Sequence, residues 1–185
     1  MAHHVVLVGL MGSGKTTVGR RVAARLDRHF VDADAAIEEI TDRTIAEIFE
    51  RDGEQGFRDL EADTFEELLE HHEPCVIAAG GGVVVRAENR ARLRRPDVTV
   101  VFLDASPAFL ASRVANRPQR PLLDGAESPR EVLARLHAER AALYAEVADL
   151  AIDVEPFHAT EEKPKRTMAD RIAELVLAHE AKVSA

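Results

Sequence analysis

The sequence predicts an α/β fold around a mostly parallel sheet, and three observations carry that prediction. Short apolar runs rich in Val, Ile and Phe recur without polar alternation, as strands covered on both faces do. Segments of helical periodicity lie between them, the pattern of strand–crossover–strand units. A glycine-rich turn joins the first run to the first helical segment. The five runs are Val5–Val8, Phe30–Val31, Cys75–Ala79, Val98–Leu103 and Ala151–Val154. Four of them read as buried strands, and Phe30–Val31 is placed by its position after a helix.

The helical segments follow in order. The first runs from Gly14 to Asp27. Asp34–Ile40 and Thr44–Arg51 are two short ones, with Thr44 and Glu47 spaced as a capping box. Phe57–His72 puts Phe57, Leu60, Thr64, Leu68 and Leu69 near one face. Ala87–Arg95, Ser106–Asn116, Ser128–Val147 and Met168–Lys182 complete the set. Pro107 and Pro129, each after a serine, mark first turns. Arg117–Ala126, with Pro118, Pro121 and Gly125, predicts a loop, and the polar stretch Glu155–Thr167 a linker.

At 185 residues the chain matches one domain, 1–185, with enough length to bury a core. Lys and Arg number 24 against 33 Asp and Glu, a net charge of −9 that repels nucleic-acid backbones. The lone cysteine, Cys75, excludes an intrachain disulfide and a cysteine zinc site and fits a reducing cytoplasm. The longest nearly apolar stretch, Cys75 to Val85, is 11 residues with three glycines, too short to span a bilayer. Cys75 reads as a small core residue, and the adjacent His71 and His72 as a polar helix end rather than a metal site.

Gly9-Leu10-Met11-Gly12-Ser13-Gly14-Lys15-Thr16 matches the phosphate-binding pattern G-x-x-x-x-G-K-[ST]. Glycines let the backbone turn tightly and bring N–H groups against phosphate oxygens. The following helix points its N-terminus at the same anion. Lys15 reaches the β and γ phosphates, and the Thr16 hydroxyl serves Mg²⁺. The strand before it and the helix after it favour a nucleotide site over a plain turn.

Asp32 and Asp34 end the second run, two residues apart. Continued strand geometry would point both to one side, at the carboxyl edge where open α/β sheets bind ligands. One would serve the metal shell and the other a substrate hydroxyl; the competing reading is a helix cap at Asp34. Gly80, Gly81 and Gly82 follow another strand, where bare backbone suits close approach of a substrate. Arg58 and Arg140 would suit a small carboxylate if the fold brought them together, which the sequence by itself does not establish. Arg117 and Arg120 on a Pro-rich loop would suit a lid that closes over the transferring phosphate and excludes water.

Taken together, these motifs make the chain resemble the shikimate kinases from Val5 to the final helix. The carriers are residues 9–19, Asp32-x-Asp34, Gly53-Glu54-x-x-Phe57-Arg58, the triple glycine 80–82, Arg120-Pro-Leu-Leu123 and Arg140-x-x-x-Tyr144, in the family's order. The resemblance implies a three-layer P-loop kinase fold with a five-stranded parallel sheet in the order 2-3-1-4-5, a substrate-binding region at about 33–61 and a lid at about 113–126. It implies transfer of the ATP γ-phosphate to the 3-hydroxyl of shikimate, with Mg²⁺, in aromatic amino-acid biosynthesis. Gly12, Ser13, Gly14, Lys15, Thr16 and Thr17 would hold ATP phosphates, and Thr16 with Asp32 would serve Mg²⁺. Asp34 would bind substrate hydroxyls and act as base. Arg58 and Arg140 would hold the carboxylate, and Gly80 to Gly82 would line its pocket. Arg120 would be the lid arginine, catalytic with Lys15 and Asp34, and Arg113 the one stacked on adenine. The expected enzyme is a cytoplasmic monomer with a small-molecule substrate, no nucleic acid and no membrane.

The sequence departs from the family at three places. Ala33 stands where many members carry Ser or Thr, and Ala142 where many carry Pro. The place after the last strand that often contacts the nucleotide falls near Phe157-His158, with Lys163, Lys165 and Arg166 following in a longer linker. The alternatives to this reading are a gluconate-kinase-like enzyme of the same fold and a non-catalytic ATP-binding relative. The triple glycine and the setting of Arg58 disfavour the first, and Lys15, Asp34 and Arg120 together the second. An NTPase acting on nucleic acid is a distant reading, disfavoured by the charge and the absence of Trp.

Overall fold

Strand β1 (His4–Val8) lies at the centre of the sheet and is wholly buried, which is why its residues are apolar without alternation. The computed structural model describes residues 3–114 and 127–183. The other strands are β2 (His29–Asp32), β3 (Cys75–Ala78), β4 (Val98–Asp104) and β5 (Leu150–Asp153). All pair parallel in the order β2-β3-β1-β4-β5, with Val5 opposite Val76 on one side and Thr99 on the other. That is the sheet order the family resemblance implies. Ala151–Val154 was expected to be covered on both faces, but β5 is an edge strand in which Ala151 and Asp153 are exposed and Ile152 is buried.

The helices are α1 (Lys15–Leu26), α2 (Ala33–Thr41), α3 (Ile45–Leu69), α4 (Ala87–Leu93), α5 (Pro107–Val114), α6 (Pro129–Val147), α7 (Glu155–Thr160) and α8 (Pro164–Val183). Helix α1 packs on α8, α5 on α6, and α2 on α3. The expected capping box at Thr44 is formed, and Ser128 with Glu131 forms another at the start of α6. These reciprocal bonds satisfy backbone N–H groups that a helix start leaves without partners.

One expectation about the helices holds and one is corrected. The break expected between Thr44–Arg51 and Phe57–His72 is present in α3, which is two helices joined across a kink at Gly53 (φ 71°, ψ −178°), both running closer to the break than expected. That conformation is closed to residues with a Cβ, so the glycine is what permits the bend. The run ends at Leu69, leaving His71 and His72 exposed beyond it. The predicted linker Glu155–Thr167 instead holds α7 and the start of α8. Pro156 lies in the first turn of α7 and Pro164 begins α8, the same start signal carried by Pro107 and Pro129.

The main core joins β1, β3 and β4 to Val18, Leu110, Tyr144, Met168 and Ile172 from the flanking helices. A separate small core is made by Ile37, Ile48 and Phe57, with Ile45, Phe49 and Leu60 packed around it. It holds α2 and the first half of α3 together beyond the carboxyl edge of the sheet. Cys75 is a buried core residue whose thiol pKa is pushed up by burial, as a packing role predicts. No helix among the described residues is long and apolar enough to cross a membrane.

Candidate active site

A cleft of about 510 Å³ opens at the carboxyl ends of β1, β2 and β3, where the sheet order reverses direction. Its floor is the loop between β1 and α1. Gly9, Gly12 and Gly14 all have positive φ (140°, 88° and 99°), which turns the chain tightly enough to aim its N–H groups inward. A Cβ at Gly9 would lie 2.6 Å from the Leu103 carbonyl oxygen, so the neighbouring strand also requires a glycine there. Lys15 Nζ donates to the Gly9 and Leu10 carbonyls at 2.7 and 3.1 Å, folding the cation back over the loop. Ser13 Oγ is buried without a hydrogen-bond partner. An orphaned hydroxyl within an N–H cradle fits an anion with several acceptor oxygens.

Thr16 and Asp32 meet at the edge of this loop. The Thr16 hydroxyl donates to Asp32 Oδ2 at 2.7 Å, while Asp32 Oδ1 accepts from the Asp34 and Ala35 backbone N–H groups. The cap of α2 is therefore Asp32, not Asp34. Strand geometry stops at Asp32, and Asp34 stands in the first turn of α2, so the two acids do not share a side by pleat. Both nonetheless line the cleft, because the strand-to-helix turn redirects Asp34 into it. A hydroxyl and a carboxylate side by side fit Mg²⁺, which takes few protein oxygens and fills its shell with water and phosphate. Among the described residues no group of three or more His, Cys, Asp and Glu could hold a metal by itself.

The far wall brings together residues distant in sequence. Arg58 and Arg140, both 6% exposed, line the same cleft from α3 and α6. Arg140 Nη1 donates to the Gly81 carbonyl at 3.0 Å, and the Tyr144 hydroxyl donates to the same oxygen. Tyr144 is buried and stacked on Phe102, so it fixes that carbonyl firmly. Arg58 lies against the backbone of Gly82, where a Cβ would come within 1.9 Å of Nη1. Gly81 and Gly82 are therefore the seats of the two arginines. Gly81 and Gly82 line the cleft; Gly80 is buried where the Glu61 and Asp34 carboxylates close in, 2.4 and 2.9 Å from where its Cβ would be.

Glu61 is a residue that sequence reasoning missed. It is 2% exposed and pairs with Arg58 Nη1 at 2.7 Å, while Glu54 takes Nη2 at 3.3 Å. Burial pushes its carboxyl above the ordinary range; the Arg58 guanidinium opposes this, Asp34 adds to it and Arg140 opposes it. Its chemical effect is to fix the fork of Arg58. The signal was available as an Arg-x-x-Glu spacing, which puts both side chains on one helix face. The Arg58 and Arg140 Nε atoms are buried without hydrogen-bond partners. Two buried guanidiniums with donors left over fit a small carboxylate.

Arg113 closes the other end. Its Nε donates to the Gly12 carbonyl at 2.9 Å, so it sits directly on the phosphate loop. Thr17 also lines the cleft. Arg120, and the expected lid from residue 115 onward, lie outside the described residues.

This geometry coincides with clear kinship. The family described as shikimate kinase matches residues 11–176. The chain belongs to the shikimate kinase family. A shikimate kinase of Ralstonia nicotianae is 49% identical over 150 residues, covering 81% of this chain and 77% of that protein. One from Bradyrhizobium diazoefficiens is 43% identical over 178 residues, 96% of this chain and 81% of its own. Among solved structures, the shikimate kinase of Acinetobacter baumannii, in complex with shikimate, superposes with a TM-score of 0.87 at 38% identity, covering 97% of this chain and 96% of that one. The protein is thus an enzyme, a shikimate kinase of the P-loop type that uses ATP with Mg²⁺.

Proposed function

We propose that the cleft transfers the γ-phosphate of ATP to the 3-hydroxyl of shikimate, with the acceptor carboxylate on Arg58 and Arg140 and its hydroxyls on Asp34. The observation that carries this reading is the convergence of two buried arginines with spare donors on the glycine triplet, across the cleft from the phosphate loop. The related Acinetobacter baumannii enzyme was solved in complex with shikimate, which supports the same acceptor here.

The residues divide the work. Gly12 to Thr17 bind the phosphates through backbone N–H groups, and Lys15 leaves the Gly9 and Leu10 carbonyls to follow the charge that develops on the transferred group. Thr16 and Asp32 would hold Mg²⁺, which neutralises phosphate charge when bound. Asp34 orients the attacking hydroxyl and accepts its proton on a carboxylate oxygen as the oxygen–phosphorus bond forms. An ordinary carboxylate is a weak base for an alcohol, so orientation contributes more than proton removal. Arg120 serves as the lid cation, and Arg113 supports the base. Residues 1–185 act as one kinase domain, monomeric and cytoplasmic; the lone reduced cysteine supports that compartment.

The test is ADP release from MgATP with shikimate, quinate and gluconate in parallel. Release with shikimate alone is expected. Release with gluconate in its place, or with none of the three, would overturn the assignment of the acceptor.

A further inference from the structure

His158 lies on α7, the helix found in place of the expected linker, and among the described residues it meets the nucleotide end of the cleft through Arg113. Arg113 Nη1 is 3.5 Å from both ring nitrogens of His158. A bond to one nitrogen would be shorter on that side, so equal distances put the guanidinium over the ring face. Phe109 completes a triangle, with the Arg113 Cζ 5.4 Å from its ring centre and the His158 ring centre 5.4 Å away. Arg113 Nε also donates to the Gly12 carbonyl.

We propose that His158 is a positioning residue for the nucleotide base, its neutral imidazole holding the Arg113 guanidinium in the pose on which a purine stacks. This rests on the reading that Arg113 supports the base. A neutral imidazole face attracts a guanidinium, whereas an imidazolium repels it. Among the described residues, the charged groups that act on His158 are Arg113 from α5 and Lys165 from α8, both cations. On its own helix, Glu155 is engaged with the Ser106 backbone N–H at 2.7 Å. Protonation therefore places a third positive charge among cations. Burial first, then Arg113 and Lys165, hold the imidazole below its ordinary range, so it is neutral near pH 7 and takes a proton only in acid. Acidification should then displace Arg113 and weaken nucleotides that carry a base, while leaving base-free polyphosphate to the loop.

The experiment measures binding of MgADP and of magnesium tripolyphosphate by calorimetry between pH 7.5 and 5.5, without any acceptor. The wild type is expected to lose about fivefold more affinity for MgADP than for tripolyphosphate over that range. His158→Gln should abolish this excess loss, and His158→Lys should show weakened MgADP binding already at pH 7.5 with tripolyphosphate unaffected. In turnover, His158→Lys should raise the ATP KM far more than it lowers kcat. An excess loss that persists in His158→Gln, equal losses for both ligands in the wild type, or full MgADP affinity in His158→Lys would overturn the proposal. Failure of the shikimate assignment would appear separately, as wild-type protein that binds MgADP but releases none with shikimate.

Discussion

At the phosphate end of the cleft, the donors come from one loop, Gly9 to Thr16, set between a fully buried strand and the helix it starts. At the acceptor end the polar groups come from four separate places: Asp34 on α2, Arg58 and Glu61 on α3, the glycine triplet after β3, and Arg140 with Tyr144 on α6. The first is built mostly from backbone, conformationally locked and supported by the main core. The second is built from long side chains, held by ion pairs and by close seating on glycines, and part of it rests on the small separate core of Ile37, Ile48 and Phe57. Binding phosphate needs only a rigid, general cradle. Selecting one hydroxy acid needs charged groups placed at a fixed separation, which one stretch of chain does not supply.

If the two ends work independently, substitutions should divide cleanly between nucleotide and acceptor parameters. The largest expected effect is at Asp34. Asp34→Asn should lower kcat by about 10³-fold, with MgADP affinity within about twofold of wild type; turnover near the wild-type value would remove Asp34 from the mechanism. Lys15→Ala follows, with a loss of roughly 10²-fold to 10³-fold in kcat and little change in shikimate KM. A large rise in shikimate KM would mean the ends are coupled.

Arg58→Lys keeps a cation but loses the planar fork, and its shikimate KM should rise roughly 30-fold with ATP KM unchanged. The lysine is the better probe than alanine, because alanine also strands Glu61 as a buried carboxylate without its partner. Gly82→Ala puts a methyl group on the Arg58 fork, and about a tenfold rise in the same KM is expected. An unchanged KM there would refute the role of Gly82 as a seat. The smallest effect on activity should come from Ile48→Ala in the separate core. It should cost about 2–4 kcal/mol in denaturant unfolding, and amide exchange should speed up in α2 and the first half of α3 before it does in β1.

The phosphate loop was legible because its chemistry is local: spacing along the chain is spacing in the loop. The central strands were legible because β1, β3 and β4 are covered on both faces and so carry unbroken apolar runs. Edge strand β5 misled, since its exposed positions are filled by Ala151 and Asp153 rather than by a clear alternation. The break in α3 was legible because Gly53 and Gly56 weaken a helical pattern, and at Gly53 the backbone does leave the helical conformation; how close the two helices run to it was not. Helix α7 was hidden by polar residues and a proline that a linker would also carry. Glu61 was overlooked among many acids, because burial decides which carboxylate matters and burial is not a local property.

What the sequence determined by itself is the α/β class, the central strands and the phosphate cradle, all of which follow from periodicity and from glycine conformations within a few residues. The resemblance of its motifs, in order, added the sheet topology and the candidate acceptor residues. Only the tertiary structure decided that Arg58 and Arg140 meet on the glycine triplet, that Glu61 fixes one of them, and that His158 packs against Arg113. Those contacts join residues from 3 to 59 positions apart, and most of them exist only after the parallel sheet has aligned the carboxyl ends of its strands. Side-chain placement at that edge is set by packing on the cores beneath it, and no local pattern in the chain encodes it.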